Sequence, residues 1–428
     1  MSAQPEDRVS GTGQIIVTCL LFALVGVNLR SVILGVPPVL PQIKNDLALS
    51  YTATGLLTSI PILVMAGFAL PSGLLADHFG ARRIVTVGLL VLAAAAILRG
   101  VFPQELPIFF FTALLSGGIA LAQTAMPILA REWFPRHIGL VSALFSDGLI
   151  IGEAVAAGIT VPVILGVLGR DAWAASFIVW GIPVAMTAVL WIAFAPHVAS
   201  ARAKPWAELW ASARVFLRGK REEGAAGVSA LHLGVLLGSG SLIFFGMNGW
   251  IATFNDATGR SAQTAIALIA LNSAQLPVSL GITPFAQWLA GRRWPFIVAG
   301  SVASAAIIGW VTTPASLEPL WAAFLGGSSS FVFVLGLALP PLLARHGDVA
   351  RLTGLTLTLS YGTAFVGPLL GGSLWDLTGL PAIAFLPVAV AALLLIVFGA
   401  LLPSRSAFGT LHGIPTTFVK EQPSSKFD

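Results

Sequence analysis

Twelve long apolar runs constrain what this chain can fold into more than any other feature of it. They cover residues 14–38, 52–76, 84–102, 107–130, 138–165, 172–196, 229–254, 262–290, 295–313, 318–344, 353–375 and 381–402. A helix rises about 1.5 Å per residue, so roughly 20 apolar residues cross the hydrocarbon of a bilayer. Each run meets or approaches that length. Gly and Pro interrupt most of them, which membrane helices tolerate because neighbours satisfy the freed backbone groups. Strands of a membrane barrel would instead be short and alternating. Composition agrees: 56% of the 428 residues are hydrophobic and 10% are charged, where soluble domains carry about 25% charge. The expected fold class is an all-α membrane protein with twelve transmembrane helices.

Charge placement sets the expected topology. With the N-terminus inside, 18 of the 23 Lys and Arg fall on cytoplasmic segments. Lys44, Arg99, Arg170 and Arg260 fall outside, and Arg30 lies within the membrane. That bias follows the positive-inside rule and supports an even number of crossings, with both termini cytoplasmic. The net charge of +5 is therefore topological, and no nucleic-acid partner is expected. The first run is too long for a signal-peptide core and lacks a small-residue cleavage site, so it is read as retained. Cys19 is the single cysteine, which excludes an intramolecular disulfide and a Cys-rich metal site. No metal or cofactor is expected.

The longest polar interruption, residues 197–228, divides the runs six and six. It reads as a cytoplasmic linker, partly an amphipathic helix on the headgroups around Trp206 and Trp210. The expected units are a tail at 1–13, a six-helix bundle at 14–196, the linker at 197–228, a second bundle at 229–402 and a tail at 403–428. The halves resemble each other. Pro127-Ile128-Leu129-Ala130-Arg131 and Pro341-Leu342-Leu343-Ala344-Arg345 are 214 residues apart, as are Ser146-Asp147-Gly148 and Ser360-Tyr361-Gly362. Gly26-Val27-Asn28 and Gly246-Met247-Asn248 occupy comparable places. Two pseudo-symmetric six-helix bundles are the architecture of alternating-access transporters, with a site near mid-membrane between them.

The loop after the second run reads Gly73-Leu74-Leu75-Ala76-Asp77-His78-Phe79-Gly80-Ala81-Arg82-Arg83. It resembles the signature loop of the major facilitator superfamily, with His78 in place of the usual basic residue. The resemblance implies a cytoplasmic gate at Gly73, Asp77, Gly80, Arg82 and Arg83, in which Asp77 and Arg83 latch the halves in one conformation. Asn28-Leu29-Arg30, Val36-Pro37-Pro38-Val39-Leu40-Pro41 and Gly55-Leu56-Leu57-Thr58-Ser59-Ile60-Pro61 are similar to the cyanate permease and nitroimidazole exporter branch of that superfamily. So are Arg131-Glu132-Trp133-Phe134-Pro135 and Gly148-Leu149-Ile150-Ile151-Gly152-Glu153. The branch implies a bacterial inner-membrane protein and leaves solute and direction open. Proton-coupled drug exporters carry an Arg within helix four and a Gly-Pro signature in helix five. Here residues 107–130 hold no charge, and the nearest match, Gly367-Pro368-Leu369-Leu370-Gly371-Gly372, falls in the eleventh run.

Arg30, Asp147 and Glu153 are the charged side chains expected deep in the membrane. A charge there costs at least about 2.5–3.5 kcal/mol, so it should face a cavity or a partner. Arg30 lies 16 residues into the first run and Glu153 15 residues into the fifth, or roughly 24 and 22 Å from the same side. In the superfamily fold these helices are neighbours, so the two side chains are expected to meet. Asp147 is six residues from Glu153, about 120° round the helix, so both cannot face Arg30. Glu153 is then expected to stay ionised, and Asp147 either couples protons or bonds Gln123 or Thr124. The Arg30–Glu153 pair is either structural or a binding site in which Arg30 holds an anion. Asn28, Gln123, Asn248, Asn272, Gln275 and Tyr361 are the other polar candidates for solute contact, each equally a helix–helix hydrogen bond.

The expected function is secondary transport of a small polar solute, a monovalent anion or weak acid, with proton coupling or exchange, by a monomer in the bilayer. Export of nitro-aromatic or drug-like compounds is the alternative. A membrane enzyme or receptor is disfavoured, because no catalytic triad, metal triad or signalling-sized loop is visible. A nucleotide-driven pump is disfavoured too, since no Gly-rich Lys-Ser/Thr loop appears.

Overall fold

The computed structural model describes residue 9 and residues 11–197, 229–282, 285, 288–289, 292–343 and 349–402. Regular structure among them is entirely helical. The principal helices are α1 (Thr12–Leu34), α2 (Tyr51–Phe79), α3 (Ala81–Val101), α4 (Glu105–Trp133), α5 (Ile138–Ile159) and α6 (Trp173–Phe194) in the first half. The second half holds α7 (Ala230–Ala257), α8 (Ser261–Ile282), α9 (Trp294–Thr312), α10 (Glu318–Leu343), α11 (Val349–Thr378) and α12 (Leu386–Ala400). Eleven helical segments among the described residues are long and apolar enough to cross a membrane. The exception is α11, whose 30 residues suffice in length but carry a polar run of Thr353, Thr356, Thr358 and Ser360.

Two expected runs are interrupted. The first stops at Leu34, and Pro37–Val39 turns into a short helix, Leu40–Asp46. The eighth breaks between Thr264–Ser273 and Gln275–Ile282. Pro277 cannot donate to the Ser273 carbonyl, so the ladder restarts there. Both tails and the 197–228 linker fall largely outside the described residues.

Packing follows the two-fold pattern of the sequence repeat. Within the first half α1 lies on α5, and α3 on α4 and α6; within the second, α7 lies on α11, and α9 on α10 and α12. The halves meet where α2 packs on α11 and α5 on α8. Each half has its own apolar core, one around Trp133 and Trp191, the other around Trp250 and Trp310. Tyr361 of α11 packs on the first core and Tyr51 of α2 on the second. The outward faces expose Leu106, Val167, Val189, Ile308 and Leu393, a belt suited to acyl chains and not to water.

One end of the bundle is clasped. Asp376, near the last turn of α11, accepts from the Tyr51 amide (2.9 Å), the Thr52 amide (2.7 Å) and the Thr52 hydroxyl (2.6 Å). Those amides open α2, whose own N-cap is Ser50, so the carboxylate completes a helix N-terminus across the domain boundary. Trp375 stacks on Tyr51 with centroids 4.0 Å apart, and a Cβ on Gly372 would run into the Tyr51 carbonyl. At the opposite end Gly80 joins α2 to α3 with φ +90°, a conformation that favours glycine.

Candidate functional site

The site is built on a close approach of α1 and α5. Gly148 and Gly152 lie one turn apart on α5, and added Cβ atoms there would strike the backbone carbonyls of Ala23 and Val27 on α1. Gly26 faces them from α1, against the Phe145 carbonyl. Small residues spaced four apart allow such backbone contact between membrane helices. One turn beyond that contact, Arg30 and Glu153 meet.

The pair is buried and loose. Arg30 Nε lies 3.4 Å from Glu153 Oε1, with side chains 10% and 6% exposed. Neither Nε nor Nη1 of Arg30 has a hydrogen-bond partner, so the contact is ionic without an aligned donor. Glu153 Oε2 accepts from Gln275 Nε2 of α8 at 3.1 Å, which carries the cluster across the boundary between the halves. The Gln275 carbonyl accepts from Ser330 of α10 at 3.1 Å. Beside it, Asn272 Nδ2 donates to Asn248 Oδ1 of α7 at 3.0 Å, while Asn272 Oδ1 is buried without a donor. The arrangement is a membrane-embedded cation with unused donors, held by a carboxylate that the other half also grips. Chemically it suits an oxyanion or carboxylate better than an apolar solute.

The other expected residues separate. Gln123 on α4 keeps a buried amide oxygen without a partner. Tyr361 is half-buried at the interface. Asn28 commits its amide hydrogens to the Leu24 carbonyl and to Thr187 of α6 (both 2.9 Å), inside the first half. Asp147 is half-buried and bonds neither Gln123 nor Thr124. In the signature loop, Arg82 donates to the Ile192 carbonyl of α6 at 3.2 Å, tying the turn to its own half. Arg83 is exposed, Asp77 half-buried, and a Cβ on Gly73 would make only ordinary contact with Thr124. Asp376 lies beyond the apolar run, at the exposed helix end. Desolvation raises its carboxyl, but the Thr52 and Tyr51 donors and then Lys44 outweigh it and hold the group below its usual range.

Sequence reasoning missed Arg99. It was assigned to the outer side and left out of the buried charges, and α3 carries it as a residue only 1% exposed. Its position at the end of a run reads as a loop; the signal against that is apolar sequence on both sides, Ile97-Leu98 and Val101-Phe102. Arg260 was also placed outside. It pairs at 3.1 Å with Glu318, which is fully buried and also accepts from Asn255.

Residues 15–361 match the Major Facilitator Superfamily. The chain is 28% identical over 368 residues to the cyanate transport protein CynX of Escherichia coli (strain K12), covering 84% of this chain and 90% of that one. It is 26% identical over 396 residues to the 2-nitroimidazole transporter of the same organism, covering 92% and 97%. In structure it resembles a bacterial homologue of the human lysosomal transporter Spinster in an inward-facing, unoccupied conformation, with a TM-score of 0.70 at 15% identity, covering 94% of this chain and 98% of that one. The chain belongs to the Major Facilitator Superfamily and is a multi-pass membrane transporter, not an enzyme.

Proposed function

We propose that this protein is a secondary transporter of a small monovalent anion or weak acid, cyanate-like in size, working by alternating access as a monomer. The observation that carries this reading is Arg30: a buried guanidinium with two nitrogens that make no hydrogen bond, its Nε 3.4 Å from a carboxylate that α8 also holds. An incoming anion takes up the free donors, and Glu153 is then released toward Gln275. Glu153 and the half-buried Asp147 are the carboxylates we assign to proton coupling. The charge bias supports cytoplasmic termini and linker in a bacterial plasma membrane, which puts the clasped end outside and the Asp77–Arg83 gate inside.

The test is exchange of labelled cyanate into proteoliposomes loaded with unlabelled cyanate, nitrite or formate, with and without an imposed pH gradient. The expected result is trans-stimulated uptake that falls about tenfold or more in Arg30→Lys, which keeps the charge but loses the planar fork. Exchange that ignores the gradient removes Glu153 and Asp147 from coupling. No exchange of any of the three anions sinks the anion reading. Likeness to a 2-nitroimidazole transporter favours a second reading, export of a neutral nitro-aromatic, which the same vesicles test with 2-nitroimidazole.

A further inference from the structure

Arg99 is a buried charge that the site above does not use. Its Nη2 donates to the Val32 carbonyl at 3.2 Å, and its Nη1 lies 3.5 Å from the Thr112 hydroxyl. The guanidinium sits over the Phe177 ring at 3.9 Å, and its Nε has no partner. Among the described residues no carboxylate pairs with it. Arg30, by contrast, has Glu153. A buried cation without a counter-charge is costly, and a neutral carbonyl, a hydroxyl and a ring face compensate it only in part.

Arg99 lines a narrow pocket of about 20 Å³, room for a very small group. Its other polar lining comes from Thr58, Thr112 and Asn248. The walls come from both halves, with α1 to α4 on one side and α7 on the other, so the cavity must change when the halves move. From Asn248 a polar line leads on through Asn272 and Gln275 to Glu153 and Arg30. We propose that Arg99 is a second anion-binding group, a subsite for one small monovalent anion toward the clasped end of the solute path. Arg30 and Arg99 then form successive stations, the neutralised one being the weaker attractor. The proposal rests on the anion reading of Arg30.

The experiment is a thermal-shift titration of the purified full-length protein with sodium cyanate, nitrite, formate and chloride, against sodium gluconate at equal ionic strength. A ligand of the folded state raises its apparent melting temperature with concentration. Arg99→Met keeps much of the volume and removes the charge. It is expected to melt no lower than the parent without anion, and to need about tenfold more anion for the same shift, as loss of a charged hydrogen bond implies. Parent and Arg99→Met responding at the same concentrations would overturn the proposal. Should Arg99→Met not fold, Arg99→Lys decides by the same comparison, and an unchanged response there overturns it. A parent indifferent to all four anions removes the anion reading itself and this subsite with it. A response that survives in Arg99→Met but is lost in Arg30→Lys leaves Arg30 as the single anion site and refutes the second.

Discussion

At the scale of single residues, the Arg30–Glu153 contact joins two costs that neither side chain escapes alone. Removing one partner of a buried pair strands the other charge, at about 3–5 kcal/mol, whereas removing both is often neutral. Arg30→Ala is therefore expected to lower the melting temperature and abolish transport. Arg30→Ala with Glu153→Ala is expected to recover folding and not transport, because the anion's donors are gone. A double variant that melts and exchanges like the parent would make the pair scaffolding. The meeting of these side chains was legible in the sequence because helical rise put both at matched depth and the family resemblance implied that their helices are neighbours. Gln275 on Glu153 was not, since which α8 face meets α5 depends on how the halves dock. Arg99 was misread for a related reason: a charge at the end of an apolar run looks the same whether it reaches water or folds back against Val32 and Phe177.

At the scale of elements, glycine placement decides which helices can touch and so which charges can pair. The α1–α5 contact runs through Gly26, Gly148 and Gly152, which in the sequence stood out only as parts of an internal repeat and of a family resemblance. Its structural meaning needed the partner helix. The α2–α3 turn is the reverse case. Its motif was recognisable, its φ +90° at Gly80 explains the glycine, and Arg82 anchors it to α6. Latching of the halves by Asp77 and Arg83 is what we propose for the rest of the loop. If Asp77 and Arg83 latch them, Asp77→Asn should cut exchange severalfold in the proteoliposome assay and leave the anion-induced thermal shift in place. Equal exchange rates would reduce the loop to a topological turn.

At the scale of the whole molecule, alternating access needs the clasped end to open. The contact there is a charge-assisted cap made in trans: a carboxylate of α11 satisfying two backbone amides and a hydroxyl at the start of α2. Asp376→Asn keeps the shape and removes the charge, so the hydrogen bonds weaken and the helix-end attraction is lost. At an exposed position solvent screening keeps the effect small, on the order of 1 kcal/mol, or about a fivefold shift toward the open state. Thr58 lines the narrow pocket just inside the clasp and reports on it. In a Cys19→Ser background, a Thr58→Cys probe in purified protein is expected to react severalfold faster with a soluble maleimide once Asp376 is Asn. Acid should act in the same direction. A carboxyl held below its usual range keeps the clasp above its unfolded value and loses it as pH falls through its folded value. Labelling should therefore quicken in the parent at low pH and much less in Asp376→Asn, which has no proton to take up. Identical rates in the two proteins across pH would mean that Asp376 caps a helix without holding the halves together.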